Sequence, residues 1–327
     1  MTGDAIWRSA ALILAALPAL PLRALDPAEP SRVAIVAAAA RAVGSHDPDP
    51  FTRNPDWLAG PFLSPSELAL IFSHPINRAV DQDPRISVLD PDNLPLIRLN
   101  DVRTRFIDDR LHESIRAGIA QVVILGAGLD SRPYRFRALL EKSKVIEIDT
   151  PATQELKKRR VRDIFGATPA NLTYAPADID HEKLGDVLRR AGFRSSEKTF
   201  FIWEGGSMRH AEPVVLNVLR AIAQSAPGSR LLMDFAYDDD VARAVKNPNS
   251  PEQRFDAAWG EPWLFGIPRQ TGAESFFRGL GLEPAAIVPV QGSGAVRRYL
   301  THRDLSVIGG PAVDDSAPIS LIELLIP

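Results

Sequence analysis

Short apolar runs recur through the middle of this chain, and each closes on a glycine or an acid. Val122-Val123-Ile124-Leu125 enters the turn Gly126-Ala127-Gly128, and Val145-Ile146-Glu147-Ile148 ends on Asp149. Leu172-Thr173-Tyr174-Ala175 leads to Asp178, Thr199–Trp203 ends at Glu204, and Ser229–Phe235 contains Asp234. β-Branched and aromatic runs of this length, bounded by turn residues, predict strands. The stretches between them, Thr150–Phe165, His181–Ala191 (stopped by Gly192) and Glu212–Ser225, predict helices. Strand–helix alternation of this kind predicts an α/β fold, a doubly wound parallel sheet with helices on both faces. Ligands in such sheets collect at the carboxyl ends of the strands. Asp149, Asp178, Glu204 and Asp234 all stand at or just past those ends.

The flanks read differently. Arg32–Val43 predicts an alanine-rich helix, and His46–Pro65 an irregular ordered segment pinned by Phe51, Trp57 and Phe62. Glu67–Val80 predicts a helix and Asp81–Pro95 a proline-punctuated loop. Asn100–Ala117 has helical spacing through Val102, Phe106, Ile107, Leu111 and Ile115. On the C-terminal side, residues 238–270 interrupt the alternation with charged and aromatic residues (Phe255, Trp259, Trp263, Phe265) and suggest a lid. Glu274–Gly281 predicts a last helix; Ala286–Val290, Val296–Thr301 and Ser320–Ile326 predict strands. The expected organisation is an apolar leader at 1–30, a helical N-terminal cap at 31–118, and a Rossmann-like domain at 119–327 carrying the lid.

Composition narrows the chemistry. Net charge is -3 and the isoelectric point is near 6.1, so the chain lacks the basic footprint of a nucleic-acid binder. The one basic block, Lys157-Lys158-Arg159-Arg160, is flanked by Glu155 and Asp163 and reads as a solvated helix face. The chain has no cysteine, which excludes disulfides, thiolate metal sites and a cysteine nucleophile. Its six histidines are dispersed without paired ligand spacing, so no metal site is expected. Asp238-Asp239-Asp240 reads as the opening of the lid rather than a magnesium site. Ala10–Leu22 is apolar, but it is shorter than the ~20 residues of a bilayer span and contains Pro18 and Pro21. A poorly ordered or surface-packed leader of a cytoplasmic protein is the favoured reading, with export or membrane association the minority one.

The glycine turn and the acid ending the next strand point to an adenosine-containing ligand. Glycines let the backbone approach the ligand, and an acid at the ~20-residue offset accepts hydrogen bonds from ribose hydroxyls. A nicotinamide dinucleotide is disfavoured. Its fingerprint needs a third glycine where Ser131 stands, and Arg132-Pro133-Tyr134-Arg135 is too bulky to bare a helix N-terminus for a pyrophosphate. A glycine turn without a diphosphate suits S-adenosylmethionine better.

These motifs resemble the leucine carboxyl methyltransferase family, in particular its bacterial members of unassigned substrate. The resemblance is carried by VRTRFIDD (Val102–Asp109), QVVILGAGLDSRPYRF (Gln121–Phe136), EIDTP (Glu147–Pro151), ADID (Ala177–Asp180), FIWEG (Phe201–Gly205) and GEPWLFGIP (Gly260–Pro268). It covers the chain from about Ser31 to the C-terminus. It implies a class I methyltransferase fold, with a sheet of seven strands whose last strand runs antiparallel. It further implies that Arg103 holds the carboxylate of the cofactor's methionine part, as a planar guanidinium suits. Gly126, Ala127 and Gly128 would pass beneath the cofactor, Asp149 would take the ribose hydroxyls, Asp178 and Ile179 would border the adenine, and Glu204 would face the amino-acid end. Apart from the motif, Arg103 also suits a surface ion pair with Asp109 or Asp101, and Glu204 a helix cap.

One segment departs from the family pattern. Bacterial relatives continue after the glutamate roughly as EGLLMYLP, whereas this chain reads Glu204-Gly205-Gly206-Ser207-Met208-Arg209-His210. Arg209 takes the tyrosine's place. An arginine there suits an acidic methyl acceptor, and His210 or Tyr237 are the candidate bases for a hydroxyl acceptor; Arg209 and His210 could equally face solvent. The expected activity is S-adenosylmethionine-dependent O-methylation of a carboxylate or hydroxyl on a small molecule. A catalytically altered methyltransferase-like binding protein, or a nicotinamide-dependent oxidoreductase, are the alternatives.

Overall fold

The computed structural model describes residues 29–68, 94–246, 261–290, 292–303 and 318–327. Most of the leader, the predicted helix beyond residue 68, most of the loop that follows it, and Phe255 and Trp259 of the lid lie outside the described residues.

Seven strands form one sheet in the order β3-β2-β1-β4-β5-β7-β6. They are β1 (Gln121–Leu125), β2 (Lys144–Asp149), β3 (Leu172–Pro176), β4 (Thr199–Trp203), β5 (Arg230–Ala236), β6 (Glu283–Pro289) and β7 (Ile319–Leu325). β1 pairs in parallel with β2 and β4, and β7 runs antiparallel to both β5 and β6. This is the arrangement the family resemblance implies. The chain reverses direction at β1, between β2 on one side and β4 on the other. That switch point opens a crevice above the glycine turn.

Helices cover both faces. α1 (Arg32–Gly44), α2 (Leu94–Arg116) and α4 (Pro151–Phe165) pack on one side; α5 (Leu184–Arg190), α6 (Glu212–Ala223) and α8 (Ala273–Arg278) pack on the other. α3 (Arg132–Arg135) is a single turn after the glycine loop, and α7 (Asp238–Lys246) follows β5. Local chemistry sets these ends. Pro151 starts α4, where its missing N–H costs nothing, and Gly166 ends it in the left-handed conformation. Ser31 caps α1, its hydroxyl accepting from Ala34 N. Alanines 38, 39, 40 and 42 of α1 are buried, and their small side chains let the helix backbone lie close to its neighbours. One continuous apolar cluster runs from α1 and α2 into β1, β2 and β4, so the N-terminal helices and the sheet share a core.

Three readings of the sequence are corrected. Of the aromatics expected to pin the 46–65 segment only Phe62 is buried, while Phe51 and Trp57 are exposed. Val296–Thr301 is not a strand. Ser293–Tyr299 is a helix, α9, burying Ala295, Val296 and Tyr299 at helical spacing, and its Arg297-Arg298 pair breaks any period of two. The basic block is not wholly solvated either. Lys157 is buried 2.7 Å from Glu147 Oε1, and Arg160 pairs with Glu67 at 2.9 Å. An α-helix returns to the same face every three to four residues, which turns positions 157 and 160 inward.

Candidate active site

A cavity of about 520 Å³ opens at the switch point, within the range of small-molecule sites. Its floor is the glycine turn. Gly128 sits at φ +41°, and a Cβ there would come within 2.9 Å of Ala34 Cβ. The first turn of α1 thus lies directly over the loop and forms a roof that only glycine permits. Lys157 Nζ reaches the Ala127 carbonyl from below at 3.4 Å.

Asp149 closes one end of the cavity. Its Oδ2 accepts from Gly128 N at 2.5 Å and its Oδ1 from Thr150 N at 2.6 Å. Burial raises its pKa against these bonds. A carboxylate has about four lone-pair sites, so the two backbone donors leave capacity for a diol. Asp178 and Ile179 line the same end of the cavity. Asp178 Oδ1 accepts from Asp180 N at 3.0 Å, which holds the loop after β3 in a tight turn.

The opposite end is built on Glu204. Arg132 Nη1 lies 2.8 Å from its Oε2, Arg103 Nε 3.0 Å from its Oε1, and Arg41 Nη1 3.8 Å away. Burial alone would raise the Glu204 pKa; the guanidiniums of Arg103, Arg132 and Arg41 more than offset it and hold the carboxyl well below its usual range. Each arginine also has a further acid: Asp56 for Arg41, Asp234 for Arg103, and Asp108 with Asp130 for Arg132, Asp56 and Asp108 being shared with Arg135. Asp234 accepts from Arg103 Nη1 at 2.7 Å and Gly205 N at 2.8 Å, so it supports the site from behind rather than lining it. Gly205, at φ +70°, places a hypothetical Cβ 3.3 Å from Arg103 Nη1, and a side chain there would crowd the guanidinium.

The structure brings Arg103, Gly126, Ala127, Gly128, Asp149, Asp178, Ile179, Glu204, Arg209 and His210 to the lining of one cavity. Arg103 is buried and paired with Glu204 and Asp234, not with Asp101 or Asp109. Tyr237 is not brought in: it lies outside the lining, its ring edge-on to Phe235 and covered by Arg269 at 4.1 Å. β5 sends alternate residues to opposite faces, and Tyr237 follows Phe235 on the α8 side.

Reading the sequence missed Arg41, Arg132 and Glu261. Arg132 sits in the loop read as too bulky for a phosphate, yet its guanidinium is one of those that neutralise Glu204. Arg41 was visible as a lone charge on the buried stripe of an alanine helix. Glu261 stands in the GEPWLFGIP stretch, but nothing in that motif places it against α1. Its carboxylate caps the first turn of α1, accepting from Ser31 Oγ at 2.8 Å, Arg32 N at 2.9 Å and Val33 N at 3.2 Å. Among the described residues no cluster of three or more histidines and carboxylates is arranged to hold a metal, and no helix is long and apolar enough to cross a membrane.

The family model for leucine carboxyl methyltransferase matches residues 34–223. A protein of Mycolicibacterium vanbaalenii named "Putative S-adenosyl-L-methionine-dependent methyltransferase" is 35% identical over 246 residues, covering 68% of this chain and 74% of the relative. A protein of the same name from Mycolicibacterium gilvum is 35% identical over 228 residues, covering 66% of this chain and 70% of the relative. Among solved structures, a DUF574 family protein from Streptomyces avermitilis superposes with a TM-score of 0.50 at 16% identity, covering 90% of this chain and all of that one. At that identity the likeness speaks for the fold alone.

Proposed function

This chain belongs to the leucine carboxyl methyltransferase family, and we propose that its cavity binds S-adenosylmethionine and methylates a carboxylate oxygen of a small molecule. The carrying observation is the polarity of the two ends. Asp149 offers unfilled lone pairs beside the glycine turn, while Glu204 stands ionised among Arg41, Arg103 and Arg132. A zwitterionic amino-acid end is matched by that pairing of one carboxylate with guanidiniums, and the ribose by Asp149. A dinucleotide finds no such match, since the Arg132 backbone N–H after the glycine turn, where a pyrophosphate would dock, is already taken by Asp130 Oδ1 at 2.7 Å.

The bound cofactor supplies a sulfonium methyl group for in-line transfer. The residues supply position, and proximity accounts for much of the acceleration. Glu204 orients the ammonium, Asp149 fixes the ribose, and the roof of α1 excludes water. A carboxylate acceptor is already anionic at neutral pH and needs no base. Of the candidate bases, Tyr237 lies outside the cavity, and the Nδ1 atoms of its two lining histidines, His181 and His210, are tied to Asp178 and Asp180 in the loop after β3, so only Nε2 could take a proton from a hydroxyl acceptor. Arg209, on the wall where relatives carry tyrosine, supplies the positive charge for an acidic acceptor.

Two measurements test this reading. Calorimetric titration should show S-adenosylmethionine binding that weakens at least tenfold in Asp149→Ala; absence of binding to the wild-type protein refutes it. Incubation with methyl-tritiated S-adenosylmethionine and a low-molecular-mass cell extract should give label that alkali releases as volatile methanol, the mark of a methyl ester. Alkali-stable label would instead assign a hydroxyl or amine acceptor.

A further inference from the structure

The fold gives Arg209 and His210, where the sequence departs from its relatives, partners on opposite rims of the cavity. Arg209 Nη1 donates to the carbonyl of Glu261, whose side chain caps α1 in the roof. His210 turns the other way. Its Nδ1 lies 2.9 Å from Asp180 Oδ1, bridging positions 30 residues apart and joining the loop after β4 to the loop after β3. The His210 side chain is 20% exposed, with the Trp203 ring behind it at 6.1 Å between centroids.

We propose that His210 and Asp180 form a clasp across the adenine end of the cavity that slows cofactor release. His210 is then a cofactor-positioning residue rather than a proton acceptor. The proposal rests on the reading of the cavity as an S-adenosylmethionine site. Three observations carry it. Asp180 follows directly on Asp178 and Ile179, the cavity residues expected at the adenine, so its carboxylate stands at that rim. The Asp180 backbone is fixed by Asp178, giving His210 a rigid anchor. The hydrogen bond from His210, ahead of an opposing desolvation, holds the Asp180 carboxyl below its ordinary pKa, as an engaged pair requires. Tied to Asp180, His210 and Arg209 link the roof to the adenine loop through two consecutive residues. In this proposal the cofactor leaves faster when the His210–Asp180 link is open.

The test uses S-adenosylhomocysteine and the full chain, with no acceptor. Its release is followed by stopped-flow displacement for wild type, His210→Ala, Asp180→Ala, the double variant and His210→Asn. A half-exposed charge-assisted hydrogen bond corresponds to about a three- to tenfold change in rate. Each single alanine variant should accelerate release by that factor, and the double variant should go no further, because the two residues act as one pair. Asparagine places an amide nitrogen near the position of Nδ1 and should restore most of the slow release, which it could not do for a lost base. Release within twofold of wild type in both alanine variants, additive effects in the double variant, or an asparagine variant as fast as alanine each overturns the clasp. Wild-type protein that fails to bind S-adenosylhomocysteine removes the cofactor reading and the clasp together; normal wild-type binding with unaltered variants removes the clasp alone.

Discussion

Replacing Glu204 by Gln tests the polarity of the site most directly. The carboxylate is nearly buried and lies 2.8 Å from Arg132 and 3.0 Å from Arg103. Breaking a buried ion pair typically costs about 3–5 kcal/mol because a charge is left without a partner. Here no arginine is orphaned: Arg41 keeps Asp56 at 2.8 Å, Arg103 keeps Asp234 at 2.7 Å, and Arg132 keeps Asp108 at 2.7 Å. The expected loss of stability is therefore smaller, about 2 kcal/mol. Ligand binding should suffer more selectively. A hydrogen bond between an ammonium and a carboxylate is worth about 1.5–3 kcal/mol, roughly a 10- to 100-fold loss of affinity. The assay is calorimetric titration with two ligands, S-adenosylhomocysteine and 5′-methylthioadenosine, the second lacking the amino-acid end. The variant should bind the first 10- to 100-fold more weakly and the second within twofold of wild type. An equal fall for both would mean that the cavity had collapsed, and an unchanged first ligand would mean that Glu204 does not face the amino-acid end; either result refutes the reasoning. The Glu204 pKa is depressed in the fold from its ordinary 4.5. Its contribution to stability is thus complete above about pH 4.5 and lost only as pH falls toward the depressed value.

Two further expectations concern the floor of the cavity. Gly128→Ala should lower the melting temperature more than Gly126→Ala. Both positions have positive φ, at +41° and +59°, but only at Gly128 does a Cβ meet another atom, Ala34 Cβ at 2.9 Å. The added clash is worth about 1–2 kcal/mol, and equal shifts in the two variants would show that α1 yields freely. Glu147, buried against Lys157, has its pKa raised to about 7 by burial. A raised carboxyl pKa contributes stability below about pH 4.5 that is lost as pH rises through 7. The stability advantage of wild type over Glu147→Gln should therefore narrow between pH 5 and pH 8 in thermal melts, and an advantage that stays constant would show that Glu147 does not titrate there.

The strands around the crevice were legible because each is a short apolar run ended by a glycine or an acid, a pattern set by neighbours in sequence. The same logic located Asp149, Asp178 and Glu204, since a strand's carboxyl end is a local property and ligands gather there. It failed at Val296–Thr301, where valine and tyrosine suggested a strand although Arg297-Arg298 breaks the period of two and burial of Ala295, Val296 and Tyr299 follows helical spacing. It also failed at Lys157, whose charge argued for solvent until Glu147 was found beneath it.

The sequence by itself determined the parallel strands, the glycine turn and the motifs that carry the family resemblance, because these follow from periodicity and from residue types at fixed offsets. Only the tertiary structure decided which arginines neutralise Glu204, what roofs the cavity, and which way Arg209 and His210 turn. Those facts depend on contacts between segments as distant as Ser31 and Glu261. Nothing near either residue in the chain encodes such a meeting; it exists only after the core has brought α1 across the glycine loop.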